Sequence, residues 1–143
     1  MVPAGGDAVE PPRPAVGVAT VLVVEDRPTD RELLVTLLSN SGYEVLECDA
    51  GDEALRITRE RRPDLVIAHM LVPDMDGLAL AHTIRAEHDI SSTPIIIYTA
   101  TYEAWELEPL ARAAGVSNVL HKPADPEQIL RAVAECVAGA GGG

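Results

Sequence analysis

Residues 63–77, with the sequence PDLVIAHMLVPDMDG, give the clearest indication of the fold of this chain. The segment begins with a short apolar run at 65–68 and passes directly into a loop that contains proline, aspartate and glycine. A short run that is apolar at every position is typical of a strand buried on both faces. We therefore predict a central strand at 65–68, and the first side chain beyond its end is that of His69.

Four more runs of β-favouring residues flank this segment, and each run is followed by apolar residues at helical spacing. The predicted strands are 20–24, 43–48, 65–68, 95–98 and 116–120. Parallel strands need crossover connections, and the helices in those connections cover both faces of the sheet. The pattern therefore predicts an α/β domain of the doubly wound (βα)5 type with a parallel five-stranded sheet.

The ends of the predicted helices carry suitable capping residues. Gly42 and Gly115 stand where C-caps are expected, Asp76 and Asp125 stand where N-caps are expected, and Pro126 suits a first helical position. The predicted domain covers residues 19–138. Residues 1–18 are rich in proline, glycine and alanine, and residues 139–143 are rich in glycine, so we expect a flexible leader and a flexible tail.

Composition restricts the class of protein. The chain has 11 basic and 23 acidic side chains and a formal charge of −12, which would repel nucleic acids and anionic membranes. No apolar run is long enough to span a bilayer, and the N-terminus lacks the pattern of a signal peptide. Cys48 and Cys136 have no metal-binding or CxxC spacing. We therefore expect a soluble, cytoplasmic protein that binds neither nucleic acid nor membrane.

Reactive side chains follow four of the five predicted strands. Glu25 and Asp26 come after the first strand, His69 after the third, Thr99 after the fourth, and Lys122 after the fifth. Because ligands of such sheets bind beyond the carboxyl ends of the strands, we expect these side chains to lie together. Carboxylates, a hydroxyl and a lysine suit phosphoryl transfer, but the central position holds an imidazole instead of an oxygen nucleophile.

Four segments now give a specific resemblance. They are VLVVEDRPTDRELL at 21–34, PDLVIAHMLVPDMDG at 63–77, PIIIYTA at 94–100 and HKPAD at 121–125. Together they resemble the receiver domain of two-component response regulators over about residues 19–137. The resemblance implies a flavodoxin-like, three-layer sandwich with strand order 2-1-3-4-5. It also implies a signalling module rather than an enzyme.

The resemblance assigns a role to each residue of the candidate site. Glu25 and Asp26 correspond to the acidic pair that helps to hold Mg²⁺ in the family. Thr99 corresponds to the hydroxyl that senses the phosphoryl group, and Lys122 to the lysine that neutralises its charge. His69 stands at the position of the phosphoaccepting aspartate. We expect this degenerate receiver, with histidine in place of the aspartate, to require no cofactor and to bind Mg²⁺ weakly at most.

The histidine changes the expected chemistry. A carboxylate attacks phosphorus to form an acyl phosphate and also offers an oxygen to Mg²⁺, whereas an imidazole does neither. We expect His69 to be a neutral side chain hydrogen-bonded to Glu25 or Asp26. We expect Asp76 to cap the third helix and Asp74 to lie in an exposed turn, so neither replaces the acceptor.

The resemblance implies partners of a particular kind. We expect a protein-interaction module that binds a histidine kinase or another two-component signalling protein, with a homodimer as a further candidate. Val119 replaces the switch aromatic of the family, and Tyr102 and Trp105 are candidate interface residues. One alternative is a receiver that still accepts a phosphoryl group through a nonstandard residue. A nucleotide- or flavin-binding domain is disfavoured, because the turn EDRPTDRE contains no glycine.

Overall fold

The computed structural model describes residues 18–100 and 104–142 of the chain. In chain order, the elements are β1 (Thr20–Val24), α1 (Pro28–Asn40), β2 (Glu44–Cys48), α2 (Gly51–Arg61), β3 (Leu65–Ala68), α3 (Gly77–Ala86), a 3₁₀ turn (His88–Ile90), β4 (Ile95–Thr99), α4 (Ala104–Ala113), β5 (Asn118–His121) and α5 (Pro126–Gly142). All strand pairs are parallel, in the order β2-β1-β3-β4-β5. The predicted fold and strand order are therefore confirmed.

The sheet has an apolar core on each face. Along β3, Val66 and Ala68 pack into the core that includes α2 and α3, while Leu65 and Ile67 pack into the core with α1 and α5. All four residues are buried, which is why the strand is apolar at every position instead of alternating with polar residues. The three layers thus follow from helices covering both faces of a central strand.

Glycines end the first and fourth helices, as predicted. Gly42 has φ 98° and Gly115 has φ 81°, a left-handed backbone that glycine adopts without steric cost. Beyond α4, the Val116 N–H donates to the Ala111 carbonyl at 2.9 Å and closes the helix end. This bond draws Val116 into the helix terminus, so β5 begins at Asn118 and not at the predicted position 116.

The starts of the third and fifth helices also match the prediction. The Asp76 carboxylate accepts the Ala79 N–H at 2.7 Å and caps α3. Helix α5 begins at Pro126, and its first turn closes on the Asp125 carbonyl. The helix continues to Gly142, beyond the predicted boundary at 138, and the one alanine in that extension, Ala140, favours helix. No helix of the described residues is long and apolar enough to cross a membrane.

Asp74 has a structural role that the sequence did not indicate. Its carboxylate accepts the Gly51 N–H at 2.6 Å and the Asp52 N–H at 2.7 Å. Helix α2 receives no side-chain hydrogen bond from its own N-cap residue, Ala50, so Asp74 caps the helix from a distant loop. The loop packs closely there, since a Cβ on Gly51 would lie 2.3 Å from Met75 Cγ. Asp74 thereby joins the loop after β3 to α2.

Replacing Asp74 with alanine is expected to lower the free energy of unfolding by about 1 kcal/mol, because two helix-terminal N–H groups lose their acceptor. The N–H groups of Gly51 and Asp52 lower the pKa of the Asp74 carboxyl. A lowered folded-state pKa means that the stabilisation is present above the unfolded value of about 4 and is lost as the pH falls through the folded-state pKa.

Urea denaturation at neutral pH and near pH 3 measures both effects. The difference between wild type and Asp74→Ala should shrink at the lower pH. Asp74→Asn keeps one oxygen acceptor and is the matched control, with a smaller loss. An equal loss for the alanine and asparagine variants would contradict capping as the cause.

Candidate functional site

The candidate site lies at the carboxyl edge of the sheet, where strand pairing holds the functional residues one step beyond the strand ends. The Glu25 N–H donates to the Cys48 carbonyl, the His69 N–H to the Val24 carbonyl, and the Lys122 N–H to the Thr99 carbonyl, each at 3.0 Å. The backbone hydrogen bonding of the sheet therefore continues through Glu25, His69 and Lys122. The structure brings these three residues to one edge, as the sequence predicted.

Glu25 is the buried acid of the site, with only 1% of its surface exposed. Its Oε1 lies 3.1 Å from Lys122 Nζ, and its Oε2 accepts the Arg27 N–H at 3.2 Å. The guanidinium of Arg31 donates to the Glu25 main-chain carbonyl at 2.8 Å. A buried carboxylate requires such partners, because burial without them carries a large free-energy cost. Both oxygens of Glu25 are thus engaged within the protein.

Lys122 joins two acidic side chains from different parts of the chain. Besides Glu25, its ammonium contacts Asp30 Oδ2 at 3.0 Å and lies 5.1 Å from the centre of the Tyr98 ring. The peptide bond between Lys122 and Pro123 is cis. Lys122 is therefore a mostly buried cation in an acidic pocket and not an ordinary surface lysine.

Sequence reasoning missed Asp30. The residue lies in the first turn of α1, four residues after Asp26, and its contact with Lys122 places that turn at the same edge of the sheet. An acidic residue in the first turn of the helix after β1 was the available signal. It was ambiguous, because acidic residues also stabilise helix N-termini without serving any site.

His69 is buried, with 7% of its surface exposed, but its hydrogen bonds differ from the expectation. Nδ1 lies 2.9 Å from the Leu71 carbonyl oxygen and 3.3 Å from the Leu71 nitrogen. The predicted hydrogen bond to Glu25 or Asp26 is therefore wrong. The tight loop after β3, closed by a 2.7 Å bond from the Gly77 N–H to the Met70 carbonyl, places backbone groups nearer to the ring.

The ring nevertheless lies beside the acidic pair. A nitrogen of His69 and one carboxylate oxygen each of Glu25 and Asp26 lie within 4.8 Å of one another. Asp26 is exposed, whereas Glu25 and His69 are buried. The pocket therefore presents one nitrogen and two oxygen donors that could hold a metal ion.

Mg²⁺ does not fit this donor set well. The ion is hard and small, and it prefers oxygen ligands in a near-octahedral arrangement. His69 offers nitrogen at the third position, and Glu25 already contacts the ammonium of Lys122 at 3.1 Å. Two carboxylates remain for Mg²⁺, and one of them also contacts the ammonium of Lys122.

Thr99 and Val119 lie on the neighbouring strands β4 and β5. Thr99 is the last residue of β4 and is fully buried. Val119 lies in β5 and packs against the core on the α2 and α3 face. Tyr102 lies outside the described residues. Trp105 belongs to α4, and its side chain is also outside the described part of the structure.

Cys48 lies next to the site but does not provide a nucleophile. Burial raises the pKa of its thiol to about 11, and Sγ lies 3.6 Å from the Ala50 carbonyl. The thiol therefore stays protonated near neutral pH, and a protonated thiol is a weak nucleophile.

Known proteins share this architecture. Residues 21–134 match the family model described as the response regulator receiver domain. The chain is 27% identical to protein PilH of Pseudomonas aeruginosa over 85% of this chain and 99% of PilH. It is 35% identical to the sensor histidine kinase AruS of the same species over 87% of this chain, but this match spans only 13% of AruS.

Solved structures agree with the sequence comparison. A putative response regulator from Chloroflexus aurantiacus superposes with a TM-score of 0.80 and 30% identity, over 85% of this chain and 98% of that structure. The chemotaxis response regulator CheY4 of Vibrio cholerae gives a TM-score of 0.77 and 29% identity, over 83% and 98%. These matches also confirm the prediction of a signalling module rather than an enzyme. The chain therefore belongs to the response regulator receiver domain family of two-component signalling.

Proposed function

We propose that this receiver domain signals without phosphorylation of an aspartate. The observation that supports the proposal is the position of His69, which follows the central strand β3 and is held by a 3.0 Å bond to the Val24 carbonyl. In this proposal, His69 occupies the position at which the family carries its phosphoacceptor. The residue at the centre of the pocket then has no carboxylate with which to form an acyl phosphate.

The surrounding charges are consistent with a pocket that is complete without phosphate. Lys122 contacts Glu25 at 3.1 Å and Asp30 at 3.0 Å, so its charge is already balanced. In our proposal, Glu25, Asp26, Thr99 and Lys122 keep their places in a site that has lost its nucleophile. The module would then be controlled by its contacts or its concentration.

Exposure to acetyl phosphate and Mg²⁺ tests this proposal directly. We expect the intact mass of the wild-type protein to stay unchanged, because no carboxylate stands at the acceptor position. The appearance of a stable, alkali-labile phosphate on the wild type would contradict the proposal, since alkali hydrolyses acyl phosphates. Asp74 and Asp76 are not expected to take up phosphate, because both carboxylates cap helices.

A receiver that accepts phosphate on a nonstandard residue is the second candidate. The shorter contact of the His69 ring, 2.9 Å from Nδ1 to the Leu71 carbonyl, assigns the hydrogen to Nδ1 and excludes the alternative 3.3 Å bond from the Leu71 N–H, so Nε2 keeps a lone pair in the neutral ring. A phosphate on His69 would survive alkali and be lost in acid, which distinguishes it from an acyl phosphate. Mass analysis after each treatment separates the two candidates.

For the partner, we propose a histidine kinase or another two-component signalling protein, and a homodimer as the alternative. The proposal places the module in the cytoplasm, consistent with two free cysteines. The proposed contact surface is formed by α4, β5 and α5, with Tyr102 and Trp105 as candidate anchors. Residues 1–18 are proposed to be a flexible end outside that surface.

Replacing Trp105 with alanine is expected to weaken a homodimer or partner complex by about 1 to 3 kcal/mol, because aromatic anchors contribute much of the binding free energy at interfaces. Sedimentation and pull-down measure the loss. Deletion of residues 1–18 is the control and should leave association unchanged. A lower melting temperature with intact association would instead assign Trp105 to the core.

A further inference from the structure

We propose that the pocket of Glu25, Asp26 and His69 binds a divalent transition-metal ion, such as Co²⁺ or Zn²⁺, in preference to Mg²⁺. One donor atom from each side chain lies within 4.8 Å of the others. The set contains one imidazole nitrogen and two carboxylate oxygens. The inference rests on these donors and not on the phosphate chemistry, so it can fail independently of the proposed function.

The buried imidazole is oriented as a metal ligand would be. Nδ1 lies 2.9 Å from the Leu71 carbonyl, which only accepts hydrogen bonds, and 3.3 Å from the Leu71 N–H, which only donates. A neutral ring makes one of these two bonds at Nδ1, and the shorter contact assigns the hydrogen to Nδ1. Metal-ligating histidines commonly donate their other N–H to a backbone carbonyl, which fixes the tautomer and the direction of the ring. Here the fixed tautomer leaves the Nε2 lone pair for a ligand. With 7% of its surface exposed, His69 also has little freedom to turn away.

The nitrogen donor determines which ions are favoured. Imidazole suits Zn²⁺, Co²⁺, Ni²⁺ and Cu²⁺, whereas carboxylate, carbonyl and water oxygens suit Mg²⁺. Replacing one oxygen donor by nitrogen therefore strengthens the binding of the first group and removes a ligand from Mg²⁺. The three protein ligands also leave open positions for water or a small anion.

Small movements would complete the site. Donor atoms that all lie within 4.8 Å of one another can share one ion at metal–ligand bonds of about 2.0 to 2.2 Å after small side-chain movements. Asp26 is exposed, so its side chain is free to approach. Lys122 need not remain on Glu25, because Asp30 Oδ2 holds its ammonium at 3.0 Å. The arrangement thus allows Glu25 to share its oxygens with an ion while Lys122 keeps a partner.

Titration of the whole chain with Co²⁺ tests the proposal, because the visible absorption of Co²⁺ reports nitrogen and oxygen ligation directly. Calorimetry with Co²⁺ and Mg²⁺ then gives the two affinities. We expect the wild type to bind Co²⁺ at least tenfold more tightly than Mg²⁺, as the preference of imidazole implies. His69→Gln and Asp26→Asn should each weaken Co²⁺ binding by about tenfold or more.

Two further variants keep the test decisive. His88→Gln is the matched control, since His88 is fully exposed at 98% and far from the described cluster in sequence, and it should leave Co²⁺ binding unchanged. His69→Asp restores a third oxygen donor and should narrow the preference for Co²⁺ over Mg²⁺. If His69→Gln fails to fold, Asp26→Asn still tests the site. Asp26 is exposed, so its replacement should not affect folding.

Three results would overturn the inference. The first is a wild type that binds Mg²⁺ as tightly as Co²⁺. The second is Co²⁺ affinity that persists in both folded His69→Gln and Asp26→Asn. The third is loss of the Co²⁺ spectrum in His88→Gln, which would assign the binding to a surface histidine. None of these outcomes depends on whether the protein accepts phosphate.

Discussion

Replacing His69 with aspartate is expected to give a chain that acetyl phosphate labels in the presence of Mg²⁺, whereas our proposal expects the wild type to stay unlabelled. The backbone at this position is held by the bond from the His69 N–H to the Val24 carbonyl, which a new side chain does not alter. An aspartate there would supply both the attacking oxygen and a third oxygen ligand for the metal. Glu25 and Lys122 already stand at the same edge.

Intact-mass analysis measures the result, and we expect up to about one phosphate per chain in His69→Asp. The matched control is His69→Asn, which has nearly the shape of aspartate but lacks the nucleophile and should remain unlabelled. Labelling should also require Mg²⁺ and disappear in alkali. A folded His69→Asp protein that stays unlabelled would show that another feature of the pocket, such as the Lys122 contacts, prevents the reaction.

Replacing Lys122 with alanine is expected to lower the free energy of unfolding by about 2 to 4 kcal/mol. Glu25 is 1% exposed and Lys122 is 15% exposed, so the contact between them is largely removed from water. Removal of Lys122 leaves the buried Glu25 carboxylate with the main-chain N–H of Arg27 as its remaining hydrogen-bond donor among the described residues. The large effect arises from this unpaired carboxylate and not from the net strength of the ion pair.

Urea denaturation of wild type and Lys122→Ala provides the measurement. Arg56→Ala is the control, because Arg56 pairs with Glu53 and Glu60 on an exposed surface, where loss of an ion pair has little effect on stability. The double variant Glu25→Gln/Lys122→Met should lose less than the sum of its single variants, since it leaves no buried charge. If Lys122→Ala destabilises no more than Arg56→Ala, then the buried pair contributes little.

The order of the elements was predictable from the sequence because its signals are local. Strand β3 was predicted with the bounds that it has in the structure, Leu65–Ala68, since proline and a polar loop flank an unbroken apolar run. The start of β5 was misplaced by two residues, because Val116 is apolar but closes the end of α4. Local propensity could not distinguish a strand residue from a helix-terminal residue at this position.

The contacts of the site were less predictable. The sequence suggested that Glu25 and His69 would meet, and the structure places them together but directs the Nδ1 hydrogen bonds of His69 to Leu71. The roles of Asp30 and Asp74 were not predicted, because each acts on an element from another part of the chain. Acidic side chains in loops and first turns are common, so their type alone does not identify a partner.

By itself, the sequence determined the parallel α/β architecture, the helix ends at Gly42 and Asp76, and the set of reactive groups at the carboxyl edge. These features depend on periodicity and backbone preference within a few neighbouring residues. Only the tertiary structure decided that Lys122 pairs with Glu25, 97 residues away in sequence. Such a partner depends on the distance between separate strands and helices, and that distance is set only when the sheet has assembled and its helices have packed.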